Sequence, residues 1–302
     1  MHRRLFLNLP AVLASGASLD AAIQQEIRSV DAEVFIHARN LDSGAVYSLR
    51  GTERVRTAST IKLPVMAAVF AQVEAGGLKW DELIALRDQD KVSGSGILHE
   101  FSDGLRIPIR DLVNLMIVVS DNTATNLILD RISADAVNTL LDSLGLPQTR
   151  SLRKVRGDGS QLKAPSGWSK AGLLEENKRF GLGVSTPAEM VALLEKIEKG
   201  EVVSPAASKQ MIAILKRQQF KDGIGRRLGQ EKAGVLEVAS KSGSLDALRS
   251  DAGIVYTPGA RVAMAITVDG LKTVDYSQEN PGLHLIGRLA QLLLVGLSRS
   301  SG

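Results

Sequence analysis

No cysteine occurs among the 302 residues, which removes disulfides, thiolate nucleophiles and cysteine-based metal sites together. Histidine is scarce: His2, His37, His99 and His284 are scattered singly, so no metal centre and no cofactor is expected. Long runs of lysine and arginine are missing, and 37 basic residues against 33 acidic ones leave a formal charge of only +4. That balance argues against a nucleic-acid partner and is compatible with a small anionic substrate. No apolar run reaches the ~18 residues of a membrane span; "LAQLLLVGL" near the C-terminus is half that length. Nor does a G-x-S-x-G nucleophile elbow occur anywhere.

The chain is long enough to bury a full core as one large domain or two lobes. Residues 1–18, "MHRRLFLNLPAVLASGAS", combine a basic start, a short apolar stretch and small residues, the pattern of a secretory signal; a periplasmic or secreted location follows as an expectation. "AEVFIHARNLDSGAVYSL" reads as a hairpin turning at Asp42, Ser43 and Gly44. From Ile61 onward apolar residues recur at helical spacing, as in "TNLILDRISADAVNTLLDSLG". Periodicity then lapses over residues 150–185, a stretch too long for an ordinary connection and therefore expected to border a site. It carries eight basic residues against three acidic ones, which could draw an anion. "TPAEM" restarts a helix, with Thr186 as cap, Pro187 in its first turn and Glu189 placed to close a capping box. Past residue 235 the pattern is of strands, then a C-terminal amphipathic helix. Strands at both ends around a helical middle predict a discontinuous α/β lobe, residues 19–58 and 206–302, with a helical lobe, 59–205, inserted.

Chemistry enters at "RTASTIKLPVMAAVF", where Ser59 and Lys62 stand three places apart at a helix start and so share a face. A serine hydroxyl needs a proton acceptor. With no histidine suitably set, that acceptor would be a lysine amine made neutral by burial beside other cations. S-x-x-K alone is a weak signal. "VVSDNTATN" adds Ser120, Asp121 and Asn122 after an apolar helix, and "ASKSGSL" adds Lys241, Ser242, Gly243 and Ser244 on an expected strand. S-x-x-K, S-D-N and K-[ST]-G in that order are the set of serine β-lactamases and penicillin-binding proteins.

From about residue 20 to its end the chain resembles the class A β-lactamases and, more widely, the penicillin-recognising serine acyltransferases. The resemblance implies an α/β (α+β) two-lobe fold, an antiparallel sheet flanked by helices plus an all-helical lobe. It implies a serine hydrolase acting on cyclic amides, working on a small molecule without cofactor or metal, as a monomer. Carried onto this sequence, it makes Ser59 the acylated nucleophile and Lys62 the proton acceptor. Ser120 would relay a proton to the leaving nitrogen, and Asn122 would bind the substrate's side-chain amide. Lys241 would supply positive charge. Ser242, in its K-S-G motif with Gly243, would bind the substrate carboxylate, and Arg249 is a looser candidate for the same task. The N–H groups of Ser59 and Ser244 would form the oxyanion hole. Asp121, in its turn, reads as structural, a holder of backbone N–H groups.

One departure stands out. The E-x-x-L-N glutamate by which class A enzymes release the acyl group is missing. Aligned from "TRSL", its position falls near Val155 or Arg156. Asp158, or Glu175 and Glu176 beside Asn177, could serve as a displaced base. Without one, acylation outpaces release, and the alternatives become a D-Ala-D-Ala peptidase, penicillin-binding protein or esterase of the same fold. A non-catalytic peptidoglycan-binding sensor is the third reading.

Overall fold

The computed structural model describes residues 18–157, 167–228 and 236–298. Asp158 and all but the last residue of the expected signal segment lie outside them. In chain order the strands are β1 (Glu33–Asn40), β2 (Val46–Leu49), the short β3 (Val55–Arg56), β4 (Leu83–Ala85), β5 (Arg106–Pro108), β6 (Arg150–Ser151) and β7 (Gly183–Ser185), then β8 (Glu237–Leu245), β9 (Leu248–Thr257) and β10 (Ala260–Asp269). Five of them form one antiparallel sheet in the order β2-β1-β10-β9-β8. β1 and β2 are the expected hairpin. Its turn is organised by the Asn40 carboxamide oxygen, which accepts from the N–H groups of Asp42 and Ser43 at 2.9 and 3.0 Å, with Gly44 at φ +80°.

The sheet joins the two ends of the chain, since β1 pairs along its length with β10. Both faces of β10 are covered, which explains its nearly unbroken apolar run. Val262, Met264, Ile266 and Val268 pack under the helices Leu19–Ile27 and Pro281–Ser298. Ala263 and Ala265 face the other way, into the core that holds the helical body. The helix Pro281–Ser298 is long and apolar enough to cross a membrane by length and composition, longer than the apolar run seen in the sequence. Eleven of its residues are buried, among them Leu285, Leu289 and Leu293, as in the core helix of a sheet-packed layer.

Helices Lys62–Glu74, Ile109–Val118, Asn122–Ile132 and Ala134–Ser143 make the helical body. The first is buried continuously from Lys62 to Phe70 and runs through its middle. At "TPAEM" the Thr186 hydroxyl accepts from Glu189 N at 3.1 Å, and the helix Pro187–Lys199 stops at Gly200 in the left-handed region. The capping box stays half-formed. The Glu189 carboxylate instead accepts from Gln148 N and Thr149 Oγ1 at 2.9 and 2.7 Å, tying down the start of the 150–185 segment.

Candidate active site

Ser59 lies in a 3₁₀ turn, Ala58–Ile61, and the α-helix begins only at Lys62. Side chains three apart eclipse in a 3₁₀ helix, so Ser59 and Lys62 leave the turn on one side, and the Lys62 amine reaches on to Ser120 and Asn122. Entry to the turn is strained: Ala58 adopts φ +46°, a left-handed conformation that costs a non-glycine residue about 1–3 kcal/mol and marks functional sites. Strand β8 lies directly against this turn. A Cβ on Gly243 would sit 2.8 Å from Thr57 O and 2.9 Å from Ser59 N, so only glycine lets the strand lie there.

Lys62 is fully buried. Its Nζ donates to Ser120 O at 2.7 Å, Ser120 Oγ at 3.2 Å and Asn122 Oδ1 at 2.9 Å. Lys241, equally buried, approaches from the sheet and donates to Ser120 Oγ at 3.0 Å and Ser242 O at 2.8 Å. One hydroxyl thus stands between two amines. Burial pushes the Lys62 amine well below its ordinary range; the nearby Lys241 charge pushes the same way and Asp121 opposes. Lys241 is lowered to about 7 by burial, against the pull of Asp251. Burial likewise raises the Asp251 carboxyl to about 6. Burial thus lowers both amines, and Lys241 is able to hold and release a proton near neutrality.

Ser120 is itself at φ +55°, between the helices Ile109–Val118 and Asn122–Ile132. Asp121 fixes that corner. Its carboxylate accepts from Ala124 N at 2.8 Å and reaches across to Ile97 N and Leu98 N at 2.7 and 2.8 Å. Gly96, at φ +105°, leaves no room for a Cβ beside it. Asn122 is held by Lys62 and by donating to Ser93 O at 3.0 Å.

A cleft of about 1070 Å³ opens over these groups, lined by Ser59, Ser120, Asn122, Val155, Ser242 and Ser244 among others. Arg249 also borders it, yet its guanidinium donates to the carbonyls of Leu245 and Leu248 at 2.5 and 2.6 Å and to that of Asp275. On the loop side, Asn126 clasps Val155 twice: Nδ2 donates to Val155 O and Oδ1 accepts from Val155 N, both at 2.8 Å. Four of the loop's described basic residues are engaged with neighbouring groups. Arg150 pairs with Asp142, Lys154 with Asp130, and Lys178 with Glu175, while Arg153 stacks on Trp168. Glu175 and Glu176 do not line the cleft, and Asn177 is buried, donating to Ala171 O and accepting from Arg54. Among the described residues lining the cleft, the carboxylates are Asp222 and Asp246, neither of them in the loop.

A sequence model of the "Beta-lactamase enzyme family" matches residues 18–296. The chain belongs to this family. Beta-lactamase L2 of Stenotrophomonas maltophilia is 26% identical over 294 residues, covering 93% of this chain and 89% of that protein. The crystal structure of a beta-lactamase from Sphaerobacter thermophilus shares 30% identity at a TM-score of 0.79, with 93% and 97% of the two chains covered. A leucine-to-glutamate variant of PBP-A, described as an acyl-enzyme complex with penicillin G, shares 25% identity at a TM-score of 0.74, over 91% and 93%. The expected β-lactamase fold is therefore this chain's fold.

Sequence reasoning missed Gln218. It is 3% exposed, and its amide oxygen accepts from Ser242 N at 2.9 Å, Ser242 Oγ at 3.2 Å and Lys241 Nζ at 3.4 Å. Nothing in "KRQQF" sets it apart from its neighbour Gln219. Asp251, buried on the neighbouring strand β9 opposite Ser242 and accepting from Ile224 N at 2.9 Å, was equally silent.

Proposed function

We propose that the protein is a serine β-lactam hydrolase of the β-lactamase type, acting through an acyl-Ser59 intermediate. The observation that carries this reading is the convergence of two buried amines on Ser120 Oγ in the cleft that Ser59 lines. Lys62, whose amine burial pushes towards its neutral form, takes the proton of the Ser59 hydroxyl as its oxygen attacks the ring carbonyl. The Oγ–acyl bond forms, and the carbonyl oxygen gathers charge toward the N–H groups of Ser59 and Ser244, whose donation favours the transition state over the ground state. The ring C–N bond then breaks. Its nitrogen receives a proton through Ser120, which Lys62 and Lys241 both contact, so the serine proton ends on the leaving nitrogen. Asn122, which lines the same cleft, would bind the acyl side-chain amide.

Release of the acyl group needs a base beside a water, and Val155, which with Arg156 marks where the family's glutamate would fall, lines the cleft. This favours slow release, the behaviour of a penicillin-binding protein, as a second reading. Intact-mass spectrometry through a time course with benzylpenicillin tests both. Wild type should gain a penicilloyl adduct that Ser59→Ala never gains. A persistent adduct supports the second reading, rapid return to free mass the first, and an adduct on Ser59→Ala removes both. The composition of residues 1–18 supports action in the periplasm or outside the cell.

A further inference from the structure

A substrate carboxylate in this cleft would need donors, and those of Lys241, Ser242, Arg249 and Arg56 are already engaged. Ser242 directs its N–H and its hydroxyl at the Gln218 amide oxygen, at 2.9 and 3.2 Å, and Lys241 leans toward the same atom at 3.4 Å. The orientation of this amide is fixed by its surroundings. An ammonium and a backbone N–H can only donate, so the oxygen must face them, and Nε2 donates to Ser240 Oγ at 2.9 Å on the other side. With its proton directed at Gln218, the Ser242 hydroxyl offers a lone pair, which repels a carboxylate.

The neighbouring cations are engaged in the same way. Arg249 is 1% exposed, its donors taken by three carbonyls and its face covered by the Tyr276 ring. Arg56, also bordering the cleft, is paired with Asp269. Asp222 and Asp246 add negative charge to the lining.

We propose that Gln218 is a specificity-determining residue: it takes up the Lys241 and Ser242 donors that a carboxylate would need, so that neutral acyl donors acylate Ser59 as readily as carboxylate-bearing ones. The inference rests on the acyl-enzyme reading and names its substrate class. The bonds made and broken are those of that reading; only the group beside the ring changes.

Benzylpenicillin and its methyl ester, which differ in this one charge, test it through second-order acylation rates followed by intact mass. The two rates in wild type should agree within about threefold, whereas a working carboxylate subsite separates them by about 30-fold or more, as charge-assisted contacts do. Gln218→Glu places a negative charge beside Lys241 and Ser242. It should slow the acid relative to the ester by about tenfold, with the ester's own rate reporting whether the variant site is intact. A wild-type preference for the acid of 30-fold overturns the proposal while leaving the acyl-enzyme reading standing. Absence of an adduct with either compound overturns both.

Discussion

The two walls of the cleft are built to different standards of polarity. On the wall formed by Lys62, Ser120 and Lys241, each of the three side chains takes part in at least two hydrogen bonds, and all three are buried. On the loop wall the support is just as firm, since Asn126 grips both the N–H and the carbonyl of residue 155. What it presents to the cleft is nevertheless the apolar side chain of valine. The comparison teaches that a scaffold for a catalytic group and the group itself are separable. The wall that would make an acyl-enzyme brings its polar groups together, and among the described residues the loop wall that would clear it lines the cleft without a carboxylate.

The sharpest break in the first wall is Lys62→Met, which keeps the volume and removes the amine. Acylation by benzylpenicillin should fall by about 10³, the scale of a lost general base, as measured by the rate of adduct formation. A fall below tenfold would move the proton acceptor elsewhere, Lys241 being the nearest choice. The second wall is tested by Val155→Glu. Because Asn126 holds the backbone of residue 155, the new carboxylate enters the cleft in a fixed direction, and deacylation should quicken by about 10² with acylation little changed. An unchanged adduct lifetime would mean that the loop lacks more than its base.

Much of this architecture is legible in the amino-acid sequence. The five-stranded sheet follows from alternating and doubly buried runs such as "RVAMAITVD", and the polar clusters at Ser59, Ser120 and Lys241 come in a family's order. What stays hidden depends on packing between distant segments. Gln218 acquires its place only because the helix Pro205–Lys216 ends beside β8, and no local pattern separates it from Gln219. Arg249 could be read as a substrate ligand from its position after β8, but the carbonyls that occupy it come from the β8–β9 turn and from Asp275, 26 residues along the chain. The basic loop suggested an anion site. Two of its charges, Arg150 and Lys154, meet carboxylates on helices of the helical body, Asp142 and Asp130, which no local pattern foretells. The reading of Glu189 as a capping-box partner failed for the same reason, since tertiary partners at Gln148 and Thr149 displace the local one.

Strand β8 serves the first wall through its backbone, and Gly243 is where that contact is tightest. Gly243→Ala would push a methyl group to within 2.9 Å of Ser59 N, displacing the nucleophile's turn from β8. A shift of this size should lower acylation by about 30-fold, less than the cost of a full 1 Å misplacement. Circular dichroism would check that the sheet survives, and wild-type kinetics in the variant would show that the turn and the strand move together without loss.

The smallest effect concerns what the first wall costs in stability. Unfolded, Lys241 keeps its proton until pH approaches its ordinary value of 10.5; folded, it gives the proton up at about 7. Between those values the unfolded chain binds more protons, so lowering the pH favours unfolding, and the penalty is complete below about 7. Lys241→Met removes it. At pH 7 the variant should lose acylation yet melt several degrees higher, the loss of Lys241's hydrogen bonds to Ser120 and Ser242 offsetting part of the relieved penalty. Asp251, left without its cation, meets the change by protonating, its pKa already raised to about 6 by burial. The gain should shrink as pH rises from 7 towards 9.5, because wild type then sheds the same proton. A melting difference that is constant across that range would assign the shift to side-chain packing and leave the Lys241 charge without a thermodynamic signature.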